Sequence, residues 1–449
     1  MTLPRLQFRL DQRRVTVPEG WITEPAGGRL LSRSPDLPAT RLTVGGQHRE
    51  QGWLVGWTPL GLSGGTLPDV LALDQLHELG GRWVFVGDRH LRLDPLGSYS
   101  VVYDPDSGTV ASSTAVLAPG ELTPDDDLIG AMGLPQVDRW YPFGLTPYRN
   151  VRRLLPNQTL DLGGMVAAVH RTAPVAGDEA NIRTIAGNLV AQLRMLAGPG
   201  LLMGLTGGNE SRMLLAALRD VVDRTEFFTI SAGTPGPDVL VAGQLAARFG
   251  LSHQVRPRVR DRDAEAEWFE AVGRCVAGAT MRNAAVKRTL PADRVLIKGM
   301  AGEIARARYR TAGGTSAAAL DVPSVLQRLK LPQHPACVSA CETWLDSVRE
   351  ESRLDQVDLL YAENRVGCWA APAIHGDIGP LANIWPLNQA STIAAMRGLS
   401  PEVKRSETVA RLVAELLWPE LLTVPISSSS ARTGLRARAG RALRRIGVP

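Results

Sequence analysis

The sequence predicts an α/β protein in which an antiparallel β-sandwich precedes a doubly wound parallel sheet carrying helical additions. Two observations predict it. Short β-type runs early in the chain are separated by turn residues: Arg82–Asp88, Leu91–Asp104 and Thr109–Leu117, broken at Gly87-Asp88, Pro95, Pro105 and Ser107-Gly108. From about residue 181 the pattern changes, and apolar runs alternate with helical stretches: LLMGLT then SRMLLAALRDVV, FFTIS then DVLVAGQLAARF, and later RVLIKG. Strand–helix–strand alternation argues for parallel strands covered by helices. Residues 121–180 are mixed and rich in proline and glycine, as a connecting segment would be, and residues 315–420 are largely helical in pattern. The chain of 449 residues is long enough for two or three domains. Our division is 1–175, 176–426 and a basic tail at 427–449.

Composition narrows the class. Hydrophobic residues make up 44% of the chain and charged residues 21%, which excludes a disordered or fibrous protein. No stretch approaches the roughly 18 unbroken apolar residues of a membrane span. The start, MTLPRLQFRLDQRR, lacks an apolar signal core, so a cytoplasmic protein without integral membrane association is expected. Cys275, Cys337, Cys341 and Cys368 are too scattered for a disulfide scaffold and read as buried structural residues. His334 completes no zinc pattern with Cys337 and Cys341.

The net charge of +5 belongs to the tail. Arg432, Arg436, Arg438, Arg441, Arg444 and Arg445 lie in residues 432–449, which contain no acid; setting those six aside leaves −1 for residues 1–431. The body is therefore not basic enough to track a phosphate backbone, and no nucleic-acid partner is expected. The tail reads as a solvated end or as a helix that binds a partner protein.

The most informative stretch is Leu201 to Arg212, LLMGLTGGNESR. An apolar run ends in Thr206-Gly207-Gly208 and a helical pattern begins near Ser211. In a parallel sheet this sets a glycine-rich turn at the carboxyl end of a strand, where free helix amides suit a phosphate. The Walker pattern GxxxxGK[ST] is absent, and a tight strand-to-helix turn would read the same way. Phe227–Ser231, followed by Gly236-Pro237-Asp238, and Arg294–Gly299, followed by Met300-Ala301-Gly302-Glu303, supply two further strand ends for the same crevice. Glu210 and Glu303 would then face one another and hold Mg2+ against a polyphosphate. Each alone also suits a helix start.

These segments resemble the asparagine-synthetase-like ATP pyrophosphatases. The family's Ser-Gly-Gly-x-Asp-Ser is matched by Thr206-Gly207-Gly208-Asn209-Glu210-Ser211, its Ser-Pro-Asp by Gly236-Pro237-Asp238, and its Gly-x-Gly-Ala-Asp-Glu element by Gly299–Tyr309. Both metal-binding aspartates of the family would be glutamates here. Gly81–Asp88, Arg92–Gly97 and Tyr103 resemble the class II glutamine amidotransferase (Ntn) domain, and Val151–Asn157 its link to the synthetase domain. The resemblance implies an amidotransferase-type sandwich, a PP-loop ATP domain, and ATP and Mg2+ as cofactors. It places the nucleotide on Leu205, Thr206, Gly207, Gly208, Asn209 and Ser211, with Ser231 and Gly299 flanking the nucleoside, and the metal on Glu210 and Glu303.

The chain also departs from that family. No cysteine precedes Cys275, so glutamine hydrolysis is not expected and the first region reads as a retained scaffold; Thr2 would be its one alternative nucleophile. Position 300 is methionine, where asparagine synthetases place a glutamate and β-lactam synthetases a tyrosine. No lysine follows Lys404, and Arg432 is the candidate for the family's adenylation lysine. Tyr309, Tyr361 and Glu363 are the candidate bases. The expected function is an ATP-dependent amide-forming ligase that adenylates a carboxylate of a small-molecule or peptide substrate and couples it to an amine without glutamine. A lasso-cyclase or macrolactam type in biosynthesis fits. The alternative is a catalytically degenerate binding or scaffold protein.

Overall fold

Arg82–Gly87 is buried along its whole length because it sits between two apolar clusters. Val84 and Val86 point to one side, where Phe8, Leu10 and Leu31 of a facing sheet meet them; Trp83 and Phe85 point to the other, against Leu42, Leu54 and Leu76. The period-2 alternation of a strand separates these two sets. The structure is a computed structural model describing residues 5–45, 49–117, 119–196, 198–232, 236–309, 320–377, 379, 381–406 and 408–426.

The first region holds two sheets. One has six strands in the order Arg152–Arg153, Val102–Tyr103, Val110–Ala111, Phe8–Asp11, Arg29–Arg33, Ile22–Ala26, all antiparallel. The other has seven, Val166–Val169, Gln158–Asp161, His90–Leu93, Arg82–Gly87, Glu50–Trp57, Ala39–Gly45, Val70–Ala72; its last pair is parallel. Residues 121–180 are thus more than a connector, since they supply edge strands to both sheets. Their mixed composition follows from that position, for Val166–Val169 is largely exposed.

The second region is built on five parallel strands: β1 (Leu201–Gly204), β2 (Thr225–Ser231), β3 (Ser252–Pro257), β4 (Val295–Ile297) and β5 (Ala382–Ile384), in the order β3-β2-β1-β4-β5. Helices α1 (Asp178–Leu196), α2 (Asn209–Ala217), α3 (Pro237–Phe249) and α4 (Val409–Leu417) belong to the same region. α3 ends as its sequence dictates, with Gly250 at φ 65° in the left-handed region. β3 and β5 carried no clear sequence signal: β3 is an exposed edge strand and β5 has three residues. The molecule is therefore an α/β protein with antiparallel and mixed sheets plus a parallel one.

The two regions share one apolar cluster running from Phe8 to Val424, and polar groups cross between them. Arg82, fully buried, donates to Ser98 O at 2.5 Å and Ala371 O at 3.4 Å, and its guanidinium lies 4.3 Å from the Trp385 ring centroid. Asn388 Nδ2 donates to Gly81 O at 2.7 Å. All four cysteines are free and buried. Among the described residues no helix is long and apolar enough to cross a membrane.

Candidate functional site at the edge of the parallel sheet

The strand order reverses between β1 and β4, and at such a switch point the carboxyl ends of the strands open a crevice. β1 leads into it through Leu205–Gly208. Leu205 N donates to Phe228 O at 2.8 Å, which ties the turn to β2. The Ser211 hydroxyl donates to Thr206 O at 2.8 Å and lies 3.0 Å from Thr206 Oγ1, closing the loop on the first turn of α2. Gly208 occupies the N-cap in extended conformation and provides no side-chain cap. The amides of Asn209, Glu210 and Ser211 therefore have no acceptor inside the helix. Gly207 N donates to Asp238 Oδ1 at 3.1 Å, so the Pro-Asp motif meets the glycine loop. That contact corrects one expectation: the Gly207 amide, assigned to a phosphate, is held by a carboxylate.

β4 delivers the opposing loop. Gly299 packs so closely on α2 that a Cβ there would stand 3.1 Å from Leu214 Cδ1. Ala301 at φ 77° and Ala307 at φ 48° flank the short Gly302–Arg306 turn that carries Glu303. Alanine in the left-handed region costs roughly 1 kcal/mol or more, strain of the kind found at functional sites. Ser231 is buried at the end of β2, with its carbonyl accepting from Arg258 N at 2.7 Å.

The two glutamates, 93 positions apart in sequence, come together here. Burial first, and then the neighbouring Glu303 carboxylate, raise the Glu210 carboxyl to about 7. Its Oε1 is buried without a hydrogen-bond partner, 4.0 Å from Arg306 Nη2. Glu303 is held on both oxygens by Arg306, with Nε donating to Oε2 at 2.9 Å and Nη2 to Oε1; Arg308 Nη1 stands 3.3 Å from Oε2. Behind the pair a cavity of about 40 Å³ is lined by Asn209, Glu210, Met213, Arg306 and Val409, and Asn209 Oδ1 is also without a partner. Among the described residues no group of three or more histidine, cysteine or acidic side chains could hold a metal ion. Two carboxylates with an orphaned oxygen fit Mg2+, which takes one or two protein carboxylates and completes its shell with phosphates and water.

Tyr309 and Tyr361 stand beside this pair, with ring centroids 6.2 Å apart. Burial, and after it the charges of Glu303 and Glu210, push the Tyr361 hydroxyl far up; burial also raises Tyr309. Both phenols therefore rest protonated at neutral pH, where each has a hydrogen bond to donate. Glu363 needs a firmer correction. Its carboxylate is 1% exposed and committed to Arg171 (2.8 and 3.0 Å), Asn157 (2.9 Å) and the Trp344 indole (2.8 Å), a structural ion pair. Arg432 and Thr2 lie outside the described residues.

Sequence reasoning missed three groups. Arg306 was visible only as an i, i+3 partner of Glu303. Lys298, which directly follows β4, joins Lys287 on the buried Asp377 carboxylate, each at 2.5 Å. Burial lowers Lys298 to about 8. Arg365 packs on Trp140 and Trp369.

No family model and no curated protein sequence matches the chain. Among solved structures it is similar to the glutamine-dependent NAD+ synthetase from Acinetobacter baumannii in complex with adenosine diphosphate. Identity is 17% and the TM-score 0.21, over 60% of this chain and 50% of that one. The match thus spans half the length of that structure, and the functional reading rests on the chain's own residues.

Proposed function

We propose that the protein is an ATP- and Mg2+-dependent ligase of the asparagine-synthetase-like kind, built as a glutaminase-deficient amidotransferase-type sandwich (1–175), a PP-loop domain (176–426) and a basic tail (427–449). In this reading a carboxylate oxygen of the substrate attacks the α-phosphorus of ATP, the bond to the β-phosphate oxygen breaks, and pyrophosphate leaves. An amine nitrogen then attacks the acyl carbon, AMP departs, and the amine loses its proton. The carrying observation is the meeting of Glu210 and Glu303 at the switch point, where Glu210 Oε1 is buried without a hydrogen-bond partner.

The free amides of Asn209, Glu210 and Ser211 receive phosphate oxygens at the positive end of α2. Ser231 and Gly299 flank the nucleoside, and Thr206 and Ser211 keep the loop's shape. Bound at the glutamate pair, Mg2+ supplies neutralising charge to the triphosphate. Tyr309 donates a hydrogen bond toward the reacting groups, and Arg432 offsets phosphate charge. The substrate is a small molecule or peptide bearing the carboxylate and amine, as in macrolactam or lasso-type closure. The setting is cytoplasmic, without nucleic acid; a partner protein would engage the tail.

Incubation with ATP, Mg2+ and candidate carboxylates should release pyrophosphate, and Glu210→Ala should abolish it. Pyrophosphate release that survives Glu210→Ala would refute the assignment.

A second reading, a catalytically degenerate binding protein, is favoured by one observation: the Arg306 guanidinium already neutralises Glu303. In that case neither ATP nor Mg2+ would shift the melting temperature.

A further inference from the structure

Arg365 is unusual for a guanidinium that is largely withdrawn from water. Its Cζ lies 3.7 Å from the Trp369 ring centroid and 4.5 Å from that of Trp140. Among the described residues no carboxylate, carbonyl or hydroxyl accepts from any of its five N–H groups. The Trp140 indole beneath it is 6% exposed, and its Nε1 is buried with no acceptor. Arginine stacks well on aromatic faces, which fixes the plane of its fork while leaving the edge free. An unmet buried donor costs on the order of 1–3 kcal/mol, so the Trp140 N–H calls for an acceptor, and the half-buried Arg365 fork stacked on the same indole is placed to share it.

The location narrows what that acceptor is. Arg365 lies in the π-helical segment Leu360–Ala370, which also carries Tyr361, and π-helical turns concentrate at functional sites. Tyr361, four residues from Arg365 in that segment, meets the Tyr309 ring at 6.2 Å, and Tyr309 directly follows the turn that carries Glu303. The surroundings are aromatic: Trp140, Trp369, Tyr309 and Tyr361. A planar fork among apolar rings matches a carboxylate borne on an apolar or aromatic body, bound bidentately.

We infer that Arg365, with the Trp140 indole N–H, binds the carboxylate of the organic acid substrate beside the nucleotide. This rests on the ligase reading for its meaning, though not for its test. Trp140 comes from the first region of the chain, so that region contributes to the site and does more than support it.

The test uses the full chain and two probes, phenylacetate alone and Mg2+ with a non-hydrolysable ATP analogue, followed by calorimetry and tryptophan fluorescence. Wild type should bind phenylacetate saturably with a change in indole emission. Arg365→Met should weaken that binding tenfold or more, as loss of a charge-assisted bidentate pair requires. Arg365→Lys, which keeps the charge without the fork, should recover only part of it, and Trp140→Phe should cost a few-fold. The analogue's affinity should stay within twofold in each. Equal phenylacetate binding by Arg365→Met and wild type, or none by wild type, would overturn the inference. So would a parallel loss of the ATP analogue, which would give the fork to the triphosphate. If wild type binds the acid through Arg365 but no ATP analogue, the inference stands and the ligase reading falls.

Discussion

The two regions differ in where buried acceptor oxygens go unmet. In the first, buried carboxylates are closed off by the protein itself. Glu50 accepts from the amides of Arg89 and His90 at 2.8 and 2.6 Å and from Arg92 at 2.5 Å. Asp94 accepts from the amides of Leu96 and Ser98 and from the Ser98 hydroxyl. Among the described residues, the buried side-chain oxygens that lack a partner all lie beyond residue 190, Asn209 and Glu210 among them. Satisfied polar groups hold a fold together, whereas like charges brought face to face cost stability and persist where a ligand relieves them. The difference accords with the proposed site at the strand ends of the second region, to which the first lends the Trp140 donor.

That contrast can be broken by mutation. The largest effect should come from removing a carboxylate that neutralises buried cations. Asp377→Ala strands Lys287 and Lys298, and Glu50→Ala strands Arg92. Each should cost about 3–5 kcal/mol in denaturant unfolding. A loss below about 1 kcal/mol in either would mean that these networks are not what closes the regions. For Asp377 the sign is fixed. Burial opposes its charge, but the two lysines hold its carboxyl far below the ordinary 3.8. Its stabilisation is therefore complete above that value and fades as pH falls below it.

Glu210 should behave in the opposite sense. Its carboxyl is raised from 4.5 to about 7, so the wild-type fold loses stability as pH rises through that window. Glu210→Gln should remove the repulsion with Glu303 and raise stability by about 1 kcal/mol at pH 8, a figure kept small because the side chain is 39% exposed and water screens it. Melting temperatures of both proteins from pH 4 to 8 should diverge across the window; parallel curves would show that the pair carries no strain. The smallest effect is steric. Gly299→Ala should cost about 1 kcal/mol, since the new methyl stands against Leu214 Cδ1, the end of a side chain that can yield.

Much of the site was readable because its motifs are local. The Thr206-Gly207-Gly208 turn and the helix stop at Gly250 follow from what glycine permits over a few residues. The glutamate pair required one further rule, that strand ends in a parallel sheet share an edge. Other groups left no local trace. Glu363 reads as a candidate base until the fold sets Arg171 and Trp344 on it. Nothing in the spacing of Trp140 and Arg365, 225 positions apart, announces a stacked pair. The short β5 and the exposed β3 were invisible because neither has the apolar run or alternation by which a strand shows itself.

By itself, then, the chain determined which apolar runs would be strands, which turns would be glycine-lined, and where acid and base would fall along it, since these depend on covalent geometry and nearest neighbours. Tertiary structure alone decided which charges would be neutralised and which left facing one another. Burial and the Coulomb interaction depend on distance through space, and contacts between residues far apart in sequence set that distance.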